Sequence, residues 1–211
     1  IMTRYVADAK WEDGKRLFSN YLQQGYLTTV TFSGALIVLS REVILFLYGE
    51  AYLAGQMVFV LYMVVDMLRF ANLSLVLSAN GESTLLMKIS IGTLIANLIL
   101  NILLYSTMGF VGPAVATVIV TLASTIILLW RSTKILHSKL SEVLVPQKLS
   151  IFLIELLVTG ILFYWIRGWI NRQWNSELLT IILSGGGMIL IIFLINAKRL
   201  FVVLKQINQS K

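Results

Sequence analysis

The sequence predicts an all-α membrane protein, a polytopic bundle of about six transmembrane helices, and three observations support this fold class. Hydrophobic residues make up 58% of the 211 residues, and only 13% are charged, which is about half the charged share of an average soluble domain. The apolar residues fall in long runs, and a helix of about 20 residues spans the roughly 30 Å of a bilayer's hydrocarbon. A soluble helix of that length would carry a polar stripe along one face.

Six apolar runs give the predicted spans, and polar stretches divide the chain into five parts. The spans are 21–40, 52–78, 85–107, 110–130, 149–168 and 178–196. The parts are an amphipathic lead-in helix at the membrane surface (1–20), a four-helix transmembrane group (21–130), a basic loop (131–148), a two-helix transmembrane group (149–196) and a basic tail (197–211). Pro113 follows a glycine turn and marks the start of the fourth span.

The distribution of basic residues predicts the orientation. An even number of spans puts both ends of the chain on one side, and 13 of the 17 Lys and Arg residues fall on that side, against three on the other. Basic loops stay in the cytoplasm, so we expect both ends of the chain to be cytoplasmic. The chain begins with Ile1, and we expect that an N-terminal portion of the protein precedes it.

Several classes of site are disfavoured by composition. There is no cysteine and only one histidine, His137, so neither a disulfide nor a multi-histidine metal site is expected. No phosphate-binding glycine loop and no nucleophile–base pair is found, so we expect no cofactor, no metal and no enzyme activity. The net charge of +7 is better explained by anionic membrane lipids than by nucleic acid, because the basic residues lie between apolar segments.

Charged residues inside the second span are the first candidates for function. Asp66 and Arg69 are three residues apart, so they share a helix face. A charge at the centre of a bilayer costs about 2.5–3.5 kcal/mol on insertion scales. Either the two residues form an internal ion pair, or Arg69 faces a water-filled cavity and attracts an anionic headgroup; the two interpretations are compatible.

The remaining candidates are one carboxylate and three amides. Glu155, in the fifth span, is a possible ion-coupling residue, and it is equally able to reach back to the membrane boundary. Asn97 and Asn101 lie one turn apart on the third span, and Asn72 lies in the second. Such amides either hold neighbouring helices together or line a polar path.

The order of several short motifs resembles the C-terminal half of a Wzx-type polysaccharide flippase, in the multidrug/oligosaccharidyl-lipid/polysaccharide (MOP) exporter superfamily. Residues 45–52, LFLYGEAY, are similar to an "LFG-x-x-Y" signature, and residues 77–82, LSANGE, to "L-x-A-x-G-x". Residues 109–117, GFVGPAVAT, are similar to "G-x-x-G-A-A-x-A-T". The proline often found in the middle of the first span is replaced by Ser33-Gly34.

This resemblance implies one lobe of a two-lobed, alternating-access transporter in the bacterial inner membrane, with the missing N-terminal lobe as its partner. The implied substrate is an undecaprenyl-pyrophosphate-linked oligosaccharide repeat unit, moved to the outer leaflet for O-antigen, lipopolysaccharide or other surface polysaccharide assembly. Arg69 would contact the pyrophosphate, and Asn72, Asn97 and Asn101 would complete the substrate site. Such a headgroup crosses the hydrocarbon only through a polar, cationic cavity.

Two other functions remain open. A cation-coupled multidrug exporter of the same fold would use Asp66 and Glu155 for coupling. A membrane polymerase of lipid-linked sugars is less well supported, because the longest predicted outer loop offers only Arg167, Arg172 and Glu177 as ionic groups.

Overall fold

The computed structural model of the chain describes the backbone of residues 1–209 and the side chains of residues 1–198 and 201. That part of the chain contains helices and no strands, which confirms the all-α class. The helices are α1 (Met2–Ala7), α2 (Trp11–Val38), α3 (Ser40–Tyr48), α4 (Gln56–Leu68), α5 (Leu75–Ala79), α6 (Ser83–Met108), α7 (Gly112–Ile135), α8 (Leu140–Leu144), α9 (Pro146–Trp174), α10 (Glu177–Thr180) and α11 (Gly186–Gln209). Short 3-10 helices cover Glu50–Gly55 and Gly109–Val111, and Ile181–Gly185 is a π-helical turn.

Four helical stretches of the described chain are long and apolar enough to cross a membrane, or five when α2 and α3 count as one bent span. One of the four, Ser83–Ile135, has 53 residues, more than twice the length that a bilayer requires. It is a hairpin that turns at Gly109, where φ is 62°. Asn97 of α6 contacts Thr117 of α7, and Gly112 approaches Leu104, so the two helices are antiparallel. With α2 and α3 counted as one span and the hairpin as two crossings, the number is six, as expected.

Two spans differ from their predicted course. Helix α2 begins at Trp11, runs without interruption past residue 20 and through Ser33-Gly34, and ends at Val38. It is then bent by 73° into α3, so the first span is longer than predicted and broken near its end. The second span was expected to be continuous over 52–78. It is interrupted at residues 69–74, between α4 and α5.

The chain forms two compact units. Unit 1 comprises Ile1–Tyr26 and Val65–Pro146. Its core is apolar and includes the fully buried side chains of Phe18, Val76 and Leu77. Helices α6 and α7 form its hairpin, and α5 packs against α7.

Unit 2 comprises Leu27–Val64 and Gln147–Lys211. Helix α9 packs against α11, because a Cβ atom at Gly160 would lie 3.9 Å from Met188 and one at Gly187 would lie 2.9 Å from Phe163. Helix α3 contacts α10. The basic side chains predicted for the tail 197–211 lie outside the described residues, except for Lys198. The division into five parts made from the sequence stays a prediction.

Candidate functional site

The break between α4 and α5 is the most unusual backbone feature of unit 1. Residues 69–74 are not helical, so the carbonyl groups at the end of α4 lose their usual intrahelical partners. Within the segment, the Asn72 side-chain oxygen accepts from the Ser74 amide at 3.2 Å and from the Ser74 hydroxyl at 2.7 Å. This local turn replaces helical bonding with side-chain bonding.

Hydroxyl groups of α7 satisfy the carbonyl groups that the break exposes. Thr125 donates to the Leu68 carbonyl at 3.2 Å, and Ser132 donates to the Leu73 carbonyl at 3.5 Å. Thr121, one turn before Thr125, accepts from the Arg69 guanidinium at 3.4 Å. All three hydroxyl residues are buried and share one face of α7, since they are four and seven residues apart. We call Thr121, Thr125 and Ser132 the hydroxyl row.

Helix α2 supports the same segment from another direction. The Tyr21 hydroxyl accepts from the backbone amide of Asn72 at 3.0 Å. Gly25 lies against the Phe70 carbonyl oxygen, which a Cβ atom at position 25 would overlap. A glycine is therefore required at position 25 for the chain to pass so close to α2.

Arg69 lies at the end of α4, level with Thr121 near the middle of α7. Its side chain and that of Asp66 are both exposed in the described chain, and among the described residues no ion pair within 4 Å joins them. The interpretation of Asp66 and Arg69 as an internal ion pair therefore does not hold for the described side chains. The single long hydrogen bond to Thr121 leaves most guanidinium donors of Arg69 available, since the group has five.

The amides that the sequence singled out fall into two places. Asn72 is in the break, beside Arg69. Asn97 and Asn101 are in the hairpin: Asn101 donates to the Asn97 side-chain oxygen at 2.8 Å, and Asn97 donates to the Thr117 hydroxyl at 3.4 Å. This arrangement is the interhelical bonding that polar side chains form in membranes.

Glu155 lies in unit 2, on α9. Its carboxylate accepts from the Asn196 side chain at 3.0 Å, and Asn196, which is 1% exposed, also donates to the Ile192 carbonyl. Glu155 thus contacts a buried polar side chain of α11, and Asn196 is a partner that the sequence analysis did not identify.

A second site in unit 2 was missed altogether. One Arg167 guanidinium nitrogen donates to the Glu42 carboxylate at 3.1 Å and to the Val38 carbonyl at 2.8 Å. Val38 ends α2 and Glu42 lies in the first turn of α3, so Arg167 contacts both sides of the 73° bend. The side chains of Arg167 and Glu42 are 15% and 3% exposed. The sequence analysis placed Arg167 in an outer loop and did not consider Glu42. An acidic residue directly beside an apolar run, such as Glu42, needs a positively charged partner, and this was the signal in the sequence for the ion pair.

An ion pair also closes the end of the hairpin in unit 1. Arg131 binds Glu82 through two nitrogen atoms at 2.8 and 2.9 Å, and Asn80 adds a bond at 3.1 Å. The hydrogen bonds from Arg131 hold the pKa of the Glu82 carboxyl below its usual value, against the opposing effect of burial. The pair links the start of α6 to the end of α7.

The remaining titratable groups form no metal site in the described part of the chain, where no three His, Cys, Asp or Glu side chains group together. His137 is exposed and lies edge-on to Trp11, with ring centroids 5.0 Å apart.

Comparison with known protein families gives a match over most of the chain. The sequence model of the family described as lipid II flippase MurJ matches residues 1–185. No curated protein and no solved structure matches the chain.

Proposed function

Because this chain belongs to the family of the lipid II flippase MurJ, we propose that it moves an undecaprenyl-pyrophosphate-linked saccharide from the inner to the outer leaflet of the bacterial inner membrane. Membership supports the expected class, a flippase of lipid-linked sugars in the MOP superfamily. The family description names lipid II, the lipid-linked precursor of peptidoglycan, and not the O-antigen unit of a Wzx-type protein. The class is that of a multi-pass membrane transporter and not of an enzyme.

The position of Arg69 supports this proposal most directly. The guanidinium is exposed at an interruption of the second span, near the middle of α7, with one long bond to Thr121. Irregular backbone at membrane depth is tolerated where it is buried in protein or lines a polar cavity, and interrupted helices form substrate sites in many transporters. Arg69 is therefore assigned to the pyrophosphate, to which guanidinium groups bind with charge-assisted, bidentate hydrogen bonds.

The other candidate residues take separate roles in this proposal. The side-chain nitrogen of Asn72, Nδ2, donates to no described group, and Asn72 lies three residues from Arg69, so this nitrogen is assigned to a phosphate or sugar oxygen. Asn97 and Asn101 hold the hairpin together. Asp66 and Glu155 remain the candidates for ion coupling, since both are carboxylates within predicted spans. Both ends of the chain are assigned to the cytoplasm, because basic residues lie near each end.

A second candidate substrate is the oligosaccharide repeat unit of a surface polysaccharide. The motif order in residues 45–117 favours it, because that order resembles Wzx-type flippases. Both substrates share the lipid pyrophosphate that Arg69 would bind, so the saccharide distinguishes them.

The test is transport by the full-length protein reconstituted into vesicles. Labelled lipid II or a lipid-linked oligosaccharide is placed in one leaflet, and its arrival in the other is measured with an impermeant modifying reagent. We expect Arg69→Ala to abolish transport and Arg69→Lys to retain part of it, since lysine keeps the charge but not the bidentate geometry. Lys88→Ala removes an exposed cation of α6 in the same unit and should transport normally.

Each outcome assigns a substrate. Transport of lipid II alone supports a role in peptidoglycan synthesis, and transport of the oligosaccharide alone supports surface polysaccharide assembly. Normal transport by Arg69→Ala would show that Arg69 does not bind the headgroup. If neither lipid moves and cationic drugs are exported, the multidrug alternative replaces the proposal.

A further inference from the structure

Helix α3 of unit 2 follows a helix that is already long enough to cross the bilayer. Residues 17–38 of α2 contain no charged side chain, and at 1.5 Å per residue they extend about 33 Å, which matches the roughly 30 Å of hydrocarbon. Arg41 and Glu42 come directly after this stretch. With α2 along the bilayer normal, the 73° bend leaves α3 close to the membrane plane.

The bend lies at a level of α9 where aromatic side chains mark the membrane surface. Arg167 of α9 donates to the Val38 carbonyl and to the Glu42 carboxylate, so Arg167 and the bend are at one level. Trp165 and Trp169, each two residues from Arg167, are both more than half exposed and lie about 3 Å from it along the helix axis. Exposed tryptophans are enriched at membrane–water interfaces. This contact therefore places the bend at an interface.

The last turn of α3 and the 3-10 helix after it expose a group of large apolar side chains. Phe46, Leu47, Tyr48 and Tyr52 are each more than half exposed, and we call these four residues the α3 patch. The rings of Tyr48 and Tyr52 lie together, with centroids 5.7 Å apart. Ile44, on the other side of α3, is buried. Helix α3 thus packs against unit 2 on one side and is apolar on its free side.

Neither water nor the hydrocarbon interior suits this combination of side chains. In water, the whole α3 patch would be an exposed apolar surface, and such surfaces mark sites of interaction with proteins or membranes. In the hydrocarbon, the exposed side chain of Arg41 at the start of α3 would cost about 2.5–3.5 kcal/mol on insertion scales. At the interface, apolar rings reach the acyl chains while an arginine reaches the lipid phosphates.

We propose that α3 is an interfacial helix that binds the phospholipids of the membrane surface, with the α3 patch inserted at the boundary between headgroups and acyl chains. The orientation predicted from the basic residues makes this surface the outer leaflet. The ion pair between Glu42 and Arg167 holds the start of α3 at the bend, so that the rest of the helix lies along the surface. This inference is independent of the transported substrate.

Nitroxide labels on single cysteines measure the depth of α3 in the membrane. The chain contains no cysteine, and any cysteine elsewhere in the full-length protein is replaced by serine. The protein is reconstituted into vesicles of phosphatidylethanolamine and phosphatidylglycerol. For each label, electron paramagnetic resonance compares collisions with oxygen, which concentrates in hydrocarbon, and with a nickel chelate, which stays in water.

Four exposed positions give the comparison. Leu47→Cys reports on the α3 patch, and Trp165→Cys reports on the level of the bend. Ile161→Cys, one turn deeper in α9, is the control for hydrocarbon. Gln173→Cys, about 12 Å beyond Trp165 along the same helix, is the control for water.

We expect the labels at Leu47 and Trp165 to have the same ratio of oxygen to nickel collisions, between the ratios at Ile161 and Gln173. A label at Leu47 that meets nickel as often as the label at Gln173 would show that α3 lies in water. A label as protected as that at Ile161 would show that α3 continues the span through the hydrocarbon. Either result overturns the proposal, and Tyr48→Cys repeats the measurement at a second position of the α3 patch.

Discussion

Removing either partner of the Glu42–Arg167 ion pair should destabilise unit 2 strongly. In Arg167→Met, the Glu42 carboxylate stays 3% exposed and loses its only described charged partner. In Glu42→Leu, the guanidinium keeps the Val38 carbonyl and the face of the Tyr164 ring, 4.4 Å away. Because an unpaired buried charge costs about 3–5 kcal/mol, we expect each single variant to lose stability in that range, with Glu42→Leu near the lower end.

The double variant Glu42→Leu/Arg167→Met isolates the cause. It leaves no unpaired charge and loses mainly the bond to the Val38 carbonyl, which is worth about 1.5–3 kcal/mol for a charged donor. It should therefore be more stable than either single variant. Denaturant unfolding of the purified full-length protein in detergent measures these differences, and Arg172→Met, an exposed arginine further along α9, is the control. Single variants that cost under about 1 kcal/mol, the range of exposed pairs, would refute the reasoning, as would a double variant as unstable as the sum of the two.

Three further predictions concern unit 1. Gly25→Ala should reduce the yield of folded protein, because its methyl group would overlap the Phe70 carbonyl, whereas Gly92→Ala, which meets open space, should not; size-exclusion profiles compare them. The Glu82–Arg131 pair should stabilise the protein fully at pH values above the ordinary glutamate pKa of 4.5, because the pKa of Glu82 is lowered in the folded protein. The stabilisation should be lost as the pH falls below 4.5 and Glu82 becomes protonated. The difference in Tm between the wild type and Arg131→Gln should therefore shrink as the pH is lowered from neutral to well below 4.5. Asn97→Leu should destabilise the hairpin by about 0.6 kcal/mol, the average for such bonds in membranes, and unfolding that shows no loss would contradict its bonding role.

Local sequence patterns predicted the elements whose causes are local. Runs of apolar residues predicted where the spans lie, although the first is bent and the second is interrupted. The glycine turn at Gly109 marked the hairpin, and the four-residue spacing of Asn97 and Asn101 placed them correctly on one helix face. These features depend on helix periodicity and on backbone conformations that particular residues favour. They need no knowledge of distant parts of the chain.

The break after Arg69 depends on distant residues, and for that reason the sequence did not reveal it. No proline or glycine lies in residues 69–74, so no local signal ends the helix. The bonds that compensate for the break come from Tyr21, Thr125 and Ser132, which are far away in the sequence. The hydroxyl row on α7 is visible in the sequence, but threonine and serine also line the interfaces between unbroken membrane helices. Such a row therefore does not indicate a break in a neighbouring span.

The missed ion pair has the same cause. Arg167 and Glu42 are separated by 125 residues, and no spacing rule relates positions that far apart. Asp66 and Arg69, by contrast, have helical spacing and yet form no ion pair among the described residues. Sequence spacing places two residues on the same helix face, but the partners available there determine what each residue binds. Arg69 binds Thr121 and not Asp66.

The hydroxyl row on α7 has a consequence for biogenesis. The chain is synthesised from its N-terminus, so α4 and α5 reach the membrane before Thr125 and Ser132 exist. At that time the Leu68 and Leu73 carbonyl groups have no hydroxyl donors, and in hydrocarbon each unpaired backbone group costs several kcal/mol. An uninterrupted helix would satisfy both groups within itself. We therefore expect the second span to enter the membrane unbroken and to unwind only when α7 arrives, so that Arg69 takes its final position late in assembly.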